Sequence, residues 1–491
     1  MKSPPSSGAR PGRSVEGRRV IQRNGRIIVA APERRALDWF EAAAAPTARG
    51  VEFLARGLCS RAVTGSMMAL PMVVAATTAR GQAITPLVAP AIASDYRRDR
   101  NISVTEQEQL EPSFQAIGVR FGSIEAYPSI AVTTGATSNV YVNNAFKRSD
   151  AFYYVRPAVY VTTDWPLHKV SLTAAGTVQR YAHEKLRNQE NYLVNGEGRL
   201  DIGPDAQVTG RLQYSQESES PYASDLASDV SVLSEYSRFN PSLTAVYKAG
   251  RVRITGKVED IRFRFNSIVF ANDTERDQRE RNRSIDRGSV QAEYALTPSM
   301  AAFAQASYEV TSYPSLRSDG SPNRDSKAPS ALIGVNFDLA GLMRGSVAAG
   351  YTKRNYDAPI YEDNGGLIMQ AQAEFFVTPL TTVGVGVQRL IQDSNSSNSG
   401  AYSDSRVAVN VDHALLRNLI LTIDATLVKQ KLLDSGATST RTLAEFNARY
   451  QTNRAITLEG NVRYGRGRTG KIVLGVPFDE LSGQVTLRFR R

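Results

Sequence analysis

Two long runs of alternating side chains flank one polar connection between Gly118 and Thr163. In the second run, one side of the chain is apolar and the other is mixed. The apolar side holds Tyr153, Val155, Pro157, Val159 and Val161, and the mixed side holds Tyr154, Arg156, Ala158, Tyr160 and Thr162. Such a period of two indicates a β-strand with two different environments. Because a bilayer-spanning strand needs about 9–11 residues, the pattern predicts a hairpin long enough to cross a membrane.

Further runs of the same kind follow, and they are joined by two alternating kinds of connection. The short, turn-like connections are 164–168, 203–205, 248–250, 297–299, 339–341, 378–380, 415–417 and 451–453. The long, polar connections are 139–150, 183–189, 217–233, 266–282, 313–327, 356–364, 392–402, 432–440 and 466–477. Membrane barrels have tight periplasmic turns and long external loops. We therefore predict an all-β fold over 114–491, a transmembrane antiparallel barrel of about 18 strands, with 16 as the alternative.

Charged side chains recur on one face of these strands, where they cannot meet lipid, since a Lys or Arg at the bilayer midplane costs roughly 2–4 kcal/mol. The predicted lumen-lining charges are Arg156, Arg251, Arg253, Lys257, Glu259, Arg406, Asp412, Glu445, Arg449, Glu459, Arg463 and Arg488. Arginine predominates, and basic pore linings favour anions, so an anionic solute or an acidic glycan is expected. The alternative is that these charges pair across strands and only satisfy one another.

The first 83 residues differ from the rest of the chain. Residues 1–50 show no sustained apolar period and are expected to be a disordered or mis-assigned extension. Residues 51–83 have the three parts of a secretory signal, with cleavage expected after Ala83. A single inner-membrane anchor is the alternative reading of the apolar run. Residues 84–113 are polar and are expected to form a periplasmic lead-in to the barrel.

The leader also explains the basic net charge of +11. Residues 1–83 carry 13 Lys and Arg against 5 Asp and Glu, whereas the whole chain carries 59 against 48. No nucleic-acid partner is therefore expected. The single cysteine, Cys59, lies in the leader, and His168, His183 and His413 do not stand at metal-ligand spacing, so neither a metal nor a cofactor is expected.

The last run of the chain, 481–490, places Leu481, Gly483, Val485, Leu487 and Phe489 on one face. Apolar alternation that ends in an aromatic residue resembles the signal read by the barrel insertion machinery, which makes that machinery an expected partner. Val485, Leu487 and Phe489 are the residues that carry the resemblance. The pattern departs from the usual form, because Arg490 and Arg491 follow the phenylalanine.

Several motifs in the first hairpin resemble one protein family. They are GVRFGSI, then YPSIAV, then SNVY at 138–141, and FYYVRPAVYVTTDWPLHKVSL at 152–172. This series resembles the putative beta-barrel porin 2 family of proteobacteria. The resemblance implies a barrel in the outer membrane of a Gram-negative bacterium, in contact with outer-membrane lipid. Some members of that family lie with exopolysaccharide or capsule export systems, which implies periplasmic polysaccharide-export proteins as partners.

Three classes of function follow from these patterns. The leading hypothesis is a porin or channel, open or gated, that serves as the outer-membrane conduit for an exopolysaccharide. The alternative is a non-conducting structural or adhesive barrel. An outer-membrane enzyme would need Ser, His and an acid on one rim. Since none of the three histidines has a GxSxG elbow nearby, no enzymatic activity is expected.

Overall fold

The chain forms two compact units, 1–36 and 37–491, in a computed structural model. The structure describes residues 20–23, 26–29, 104, 114–222, 232–269, 275–339, 341–393, 400–472 and 474–491. In the first unit, β1 (Val20–Arg23) pairs with β2 (Arg26–Val29) in antiparallel register. This pair lies within the extension for which no regular structure was expected. The predicted cleavage after Ala83 falls outside the described residues, as does the predicted lead-in 84–113 apart from Val104.

The second unit is a closed antiparallel barrel of 18 long strands. Its first strands are β3 (Val119–Phe121), β4 (Ile124–Thr137), β5 (Asp150–Thr163), β6 (Lys169–Tyr181), β7 (Gln189–Ile202), β8 (Ala206–Ser218), β9 (Glu235–Ala249) and β10 (Val252–Phe265). A small hairpin of β11 (Ile268–Val269) and β12 (Glu275–Arg276) follows. The remaining strands are β13 (Arg283–Thr297), β14 (Met300–Ser312), β15 (Ser326–Leu339), β16 (Met343–Tyr356), β17 (Asn364–Thr378), β18 (Thr381–Asp393), β19 (Ala401–Leu416), β20 (Leu419–Leu432), β21 (Thr438–Gln451), β22 (Ile456–Thr469) and β23 (Phe478–Arg490).

Each long strand pairs with its neighbours in sequence, and β23 closes the barrel against β4, from Ser482 opposite Thr137 to Arg490 opposite Ser129. The short β3 extends the same edge by pairing with the first residues of β4. The predicted antiparallel barrel is thus confirmed, with 18 strands rather than the alternative 16. Within the described part of the barrel, single-turn 3-10 helices lie in the connections at Asn144–Phe146, Lys185–Arg187 and Arg279–Arg281.

The connections alternate in length as the sequence predicts. At one end of the barrel, strands are joined by turns such as 250–251, where Gly250 supplies the positive φ of 56° that the tight turn requires. At the other end, longer segments such as 138–149 and 182–188 join them. Since short turns are periplasmic in barrels of this kind, we call the two ends periplasmic and external.

The two faces of the wall differ in polarity. Apolar side chains such as Val485 and Val462 are about half exposed on the outside, as expected of a surface that lipid covers. Side chains on the inside are mostly polar and shielded, and Arg156 and Arg488 are each only 2% exposed. Among the residues that the structure describes, no helix is long and apolar enough to cross a membrane.

Candidate functional site

The candidate site is the inner wall of the barrel. With the exception of Arg251, the predicted lumen-lining charges lie there, on inward-facing positions of β5, β10, β19, β21, β22 and β23. Arg251 instead lies in the turn before β10, where its side chain is exposed. It differs from the expectation because β10 begins at Val252, so the alternation of the strand does not extend to Arg251.

A chain of ion pairs joins side chains from four strands of this wall, and we call it the charge ladder: Lys257, Glu259, Arg287, Glu309 and Arg354. Cross-strand register places Glu259 opposite Arg287 and Arg287 opposite Glu309. Arg287 donates to both carboxylates, at 3.0 Å to Glu259 and 2.6 Å to Glu309. Lys257 lies 2.7 Å from Glu259, and Arg354 reaches over β15 to donate to Glu309 at 2.6 Å. Three cations therefore share two carboxylates.

Other lumen-facing arginines are also paired. Arg253 donates to Glu293 at 2.6 Å, and Arg344 lies 2.7 Å from Glu374. Further inner-wall pairs are Arg406 with Asp404 at 2.6 Å, Arg488 with Glu459 at 3.1 Å and Arg463 with Glu480 at 3.1 Å. The positive charge of these arginines is thus largely neutralised within the wall, in agreement with the alternative that the lumen charges pair with one another.

Sequence reasoning missed several of the acidic partners. These are Glu293, Glu309, Glu374, Asp404 and Glu480, all shielded on the inner wall. The signal that could have found them is strand parity: Asp404 lies two residues before Arg406, and Glu480 lies an even number of positions before Arg488. Residues two apart on a strand face the same side.

Between the charges, the wall is lined by carboxamides and hydroxyls. Gln370 and Gln372 on β17 and Gln388 on β18 form one group, which we call the amide cluster, since Gln370 stands opposite Gln388 in the register. All three side chains are less than a tenth exposed. Among the described residues, the amide nitrogens of all three and the amide oxygen of Gln372 have no hydrogen-bond partner. Shielded amides without partners are rare in folded proteins. Because these atoms have almost no accessible surface, a polar ligand or water would bond to them once neighbouring side chains move aside.

Tyr222 lies against the inner wall near the external end. It belongs to the connection between β8 and β9, yet its hydroxyl donates to Glu480 on β23, and four strands, β4 to β7, separate β8 from β23 around the barrel. Its ring is 5.6 Å from that of Phe478, and the guanidinium carbon of Arg463 lies 5.2 Å from the ring centroid. Burial raises the pKa of the Tyr222 phenol well above its usual value, so the hydroxyl stays protonated as a donor. Tyr222 therefore narrows the external end of the lumen.

A second tyrosine ties two external connections together. Tyr141, in 138–149, donates to Glu184 at 2.6 Å, and the guanidinium of Arg187 stacks over its ring at 4.8 Å. Burial and the bond to Glu184 raise the pKa of Tyr141 to about 12. Arg148 also lies 3.3 Å from Glu184. Two side chains of 138–149 therefore contact one carboxylate of 182–188.

The three histidines occupy separate places. His183 lies 2.9 Å from Asp150, His413 lies 3.0 Å from Thr381, and His168 accepts from the backbone of Asp201. Within the part of the chain that the structure describes, no group of His, Cys, Asp and Glu side chains is arranged to hold a metal ion.

The residues of the expected insertion signal lie on the outer face of β23. Val485, Leu487 and Phe489 are all exposed there, and Phe489 stands opposite Ile130 and Ile456. Arg490 turns inward, where its guanidinium donates to the carbonyl of Phe114 at 2.8 Å. Recognition of this strand by the insertion machinery stays a prediction.

Comparison with known proteins gives one family. The model of the putative beta-barrel porin 2 family matches residues 111–491. No curated protein matches the chain. Similar solved structures include OccK2 (OpdF) of Pseudomonas aeruginosa, with 12% identity and a TM-score of 0.42 over 74% of this chain and 98% of that one. The copper transporter OprC has 11% identity and a TM-score of 0.44 over 76% and 81%. The siderophore receptor PiuA from Acinetobacter baumannii has 9% identity and a TM-score of 0.41 over 76% and 82%.

Proposed function

This chain belongs to the putative beta-barrel porin 2 family, and on that premise we propose that it forms an outer-membrane channel for hydroxyl-rich solutes, with glycans as the expected class. The channel is the lumen enclosed by the 18 strands. An 18-stranded barrel is wide enough for an aqueous passage.

The amide cluster is the observation that carries the proposal. A carboxamide both donates and accepts hydrogen bonds, and so does each sugar hydroxyl. Gln370, Gln372 and Gln388 present several amide atoms that have no partner among the described residues. A solute rich in hydroxyls would satisfy these atoms without needing a charge of its own.

The pairing of the lumen charges restricts the class of solute that we expect the channel to carry. An excess of free arginine would favour strongly anionic solutes, but in the charge ladder Glu259 and Glu309 offset most of the positive charge. The wall therefore suits neutral or weakly acidic glycans better than small strong anions.

We extend the proposal to export of an exopolysaccharide or capsule polymer. In that role the periplasmic turns would face the export proteins of the periplasm, and the chain would reach the outer membrane after removal of the signal peptide at Ala83. The support is the family resemblance together with the uncharged polar lining at the amide cluster.

Glycan block of ion current in planar bilayers tests the proposal. A neutral oligosaccharide added to the purified protein is expected to reduce the current reversibly. The variant Gln370→Leu/Gln388→Leu should weaken this block about thirtyfold, since each of the two lost hydrogen bonds contributes about 1 kcal/mol and about 1.4 kcal/mol corresponds to a factor of ten. The control is Met369→Leu, which alters the outer face of the same strand. Equal block of all three proteins, or no block of any, would contradict a glycan site at the amide cluster.

A further inference from the structure

The outer wall of the barrel changes from apolar to cationic near the external ends of β20 and β22. On β20 the outward positions run through Ile423 and Leu427 and end in Lys429 and Lys431. On β22 they likewise run through Leu458, Val462 and Tyr464 and end in Arg466 and Arg468. Each of the two strands therefore carries two outward cations at the external edge of the lipid-facing apolar band.

Strand register aligns three cations, Arg389, Lys429 and Arg468, with the hydroxyl residues Ser405 and Thr440 between them. We call this line of five residues the basic row. Each of these residues stands directly opposite the next one, on β18 to β22 in turn. Neighbouring strands lie about 4.8 Å apart, so successive cations are about 10 Å apart with a hydroxyl side chain between them. Lys431 flanks the row, one outward position further along β20.

The cations of the basic row differ from the outward lysines of β15 and β16 in having no carboxylate partner. Elsewhere on the outer wall, Lys327 lies 3.2 Å from Asp357 and Lys353 lies 3.4 Å from Asp363. Among the described residues, the cations of the row and its neighbour Lys431 form no ion pair. The adjacent stretch 394–399, SNSSNS, contains no acidic residue in its sequence, so it cannot provide one.

We propose that the basic row binds the phosphate groups of a phosphorylated lipid in the outer leaflet. Its position at the external edge of the apolar band is the level at which lipid headgroups lie. Ammonium and guanidinium groups provide charge-assisted donors for phosphate oxygens, and the hydroxyls of Ser405 and Thr440 add further donors. The acyl chains of the same lipid would then cover Leu427 and Val462 below the row. This site is independent of the lumen and of what the channel carries.

Binding of defined lipids to the full-length protein in detergent tests the proposal, with native mass spectrometry as the readout. The probes are lipid A with its phosphates, the same lipid A after enzymatic removal of the phosphates, and inorganic phosphate as a competitor. Lipid A is expected to bind, and its dephosphorylated form is expected to bind much more weakly. In Lys429→Thr/Lys431→Thr/Arg468→Thr the affinity should fall about a hundredfold, since each cation near an anionic lipid surface contributes about a factor of five.

Two matched variants separate the basic row from general surface charge. Lys327→Thr/Lys353→Thr removes two outward lysines that are paired with carboxylates and should leave lipid A binding unchanged. Lys429→Arg/Lys431→Arg keeps the charge and should bind as the unmodified protein does. Folding of each variant is checked by its heat-modifiable migration in gels. If the triple variant does not fold, Lys429→Thr alone should still weaken binding about fivefold.

Three results would overturn the proposal. Equal binding of the dephosphorylated lipid would mean that acyl chains alone hold it. Displacement of lipid A by inorganic phosphate at similar concentration would indicate a site for free anions. Equal loss of binding in the Lys327→Thr/Lys353→Thr variant would indicate a diffuse charge effect.

Discussion

Replacement of Glu309 by glutamine removes the carboxylate that two arginines share in the charge ladder. Arg287 donates to Glu309 at 2.6 and 3.1 Å, and Arg354 donates to it at 2.6 Å. Glu309 is only 5% exposed, so water replaces little of the lost interaction. The variant Glu309→Gln therefore leaves two guanidinium groups beside a neutral amide of the same size.

The expected loss of stability follows from the partners that remain. Removing one member of a buried ion pair costs about 3–5 kcal/mol, because the other charge is left uncompensated. Arg287 keeps Glu259 at 3.0 Å, and Arg354 keeps the hydroxyl of Ser326 at 2.8 Å. We therefore expect the free energy of unfolding to fall by about 3 kcal/mol, the lower end of that range.

Urea unfolding of the protein in lipid vesicles measures this loss. A second substitution, Arg354→Gln, should restore part of the stability of Glu309→Gln, because it removes one uncompensated charge. Glu190→Gln is the matched control: Glu190 pairs with Arg180 but is 67% exposed, so its loss should leave stability almost unchanged. A loss below about 1 kcal/mol for Glu309→Gln, or no recovery in the double variant, would refute the ladder as a source of stability.

Three further predictions concern other parts of the barrel. Tyr222→Ala should raise single-channel conductance in planar bilayers because it removes a ring from the external end of the lumen; unchanged conductance would place the constriction elsewhere. The pKa of Tyr141 is raised from 10.0 to about 12, so the stabilisation from its bond to Glu184 should be complete below pH 10.0 and be lost as the pH rises through about 12. The alkaline unfolding profile of Tyr141→Phe should lack this loss of stability. A profile identical to that of the unmodified protein would contradict a stabilising role of the bond between Tyr141 and Glu184. Phe489→Ala should reduce the amount of heat-modifiable barrel in isolated membranes, whereas Phe446→Ala, on the outer face of β21, should not.

The fold could be predicted from the sequence because a membrane barrel repeats one local rule along its length. On β5 the alternation correctly separates Val155 on the outer face from Arg156 on the inner face. The rule does not extend past strand ends, so Arg251, one residue before β10, was misplaced. The number of strands could also be predicted from the sequence, because each connection is marked by its own turn residues or polar run.

The lumen was less predictable because its contacts depend on register and on inward-turning connections. Arg354 meets Glu309 across an intervening strand, and parity alone fixes which face each residue takes but not which partner it reaches. The contact of Tyr222 with Glu480 joins residues 258 positions apart. No local pattern encodes such a contact, since it depends on the path of the connection between β8 and β9.

Single-channel conductance of the purified protein in planar bilayers tests the central claim most directly. The account predicts discrete open steps, and a small reversal potential under a salt gradient because many of the lumen arginines are paired with acids. Heat-modifiable gel migration would establish that the same sample is folded. A folded barrel that never conducts at any applied voltage would contradict the channel and favour a structural or adhesive barrel.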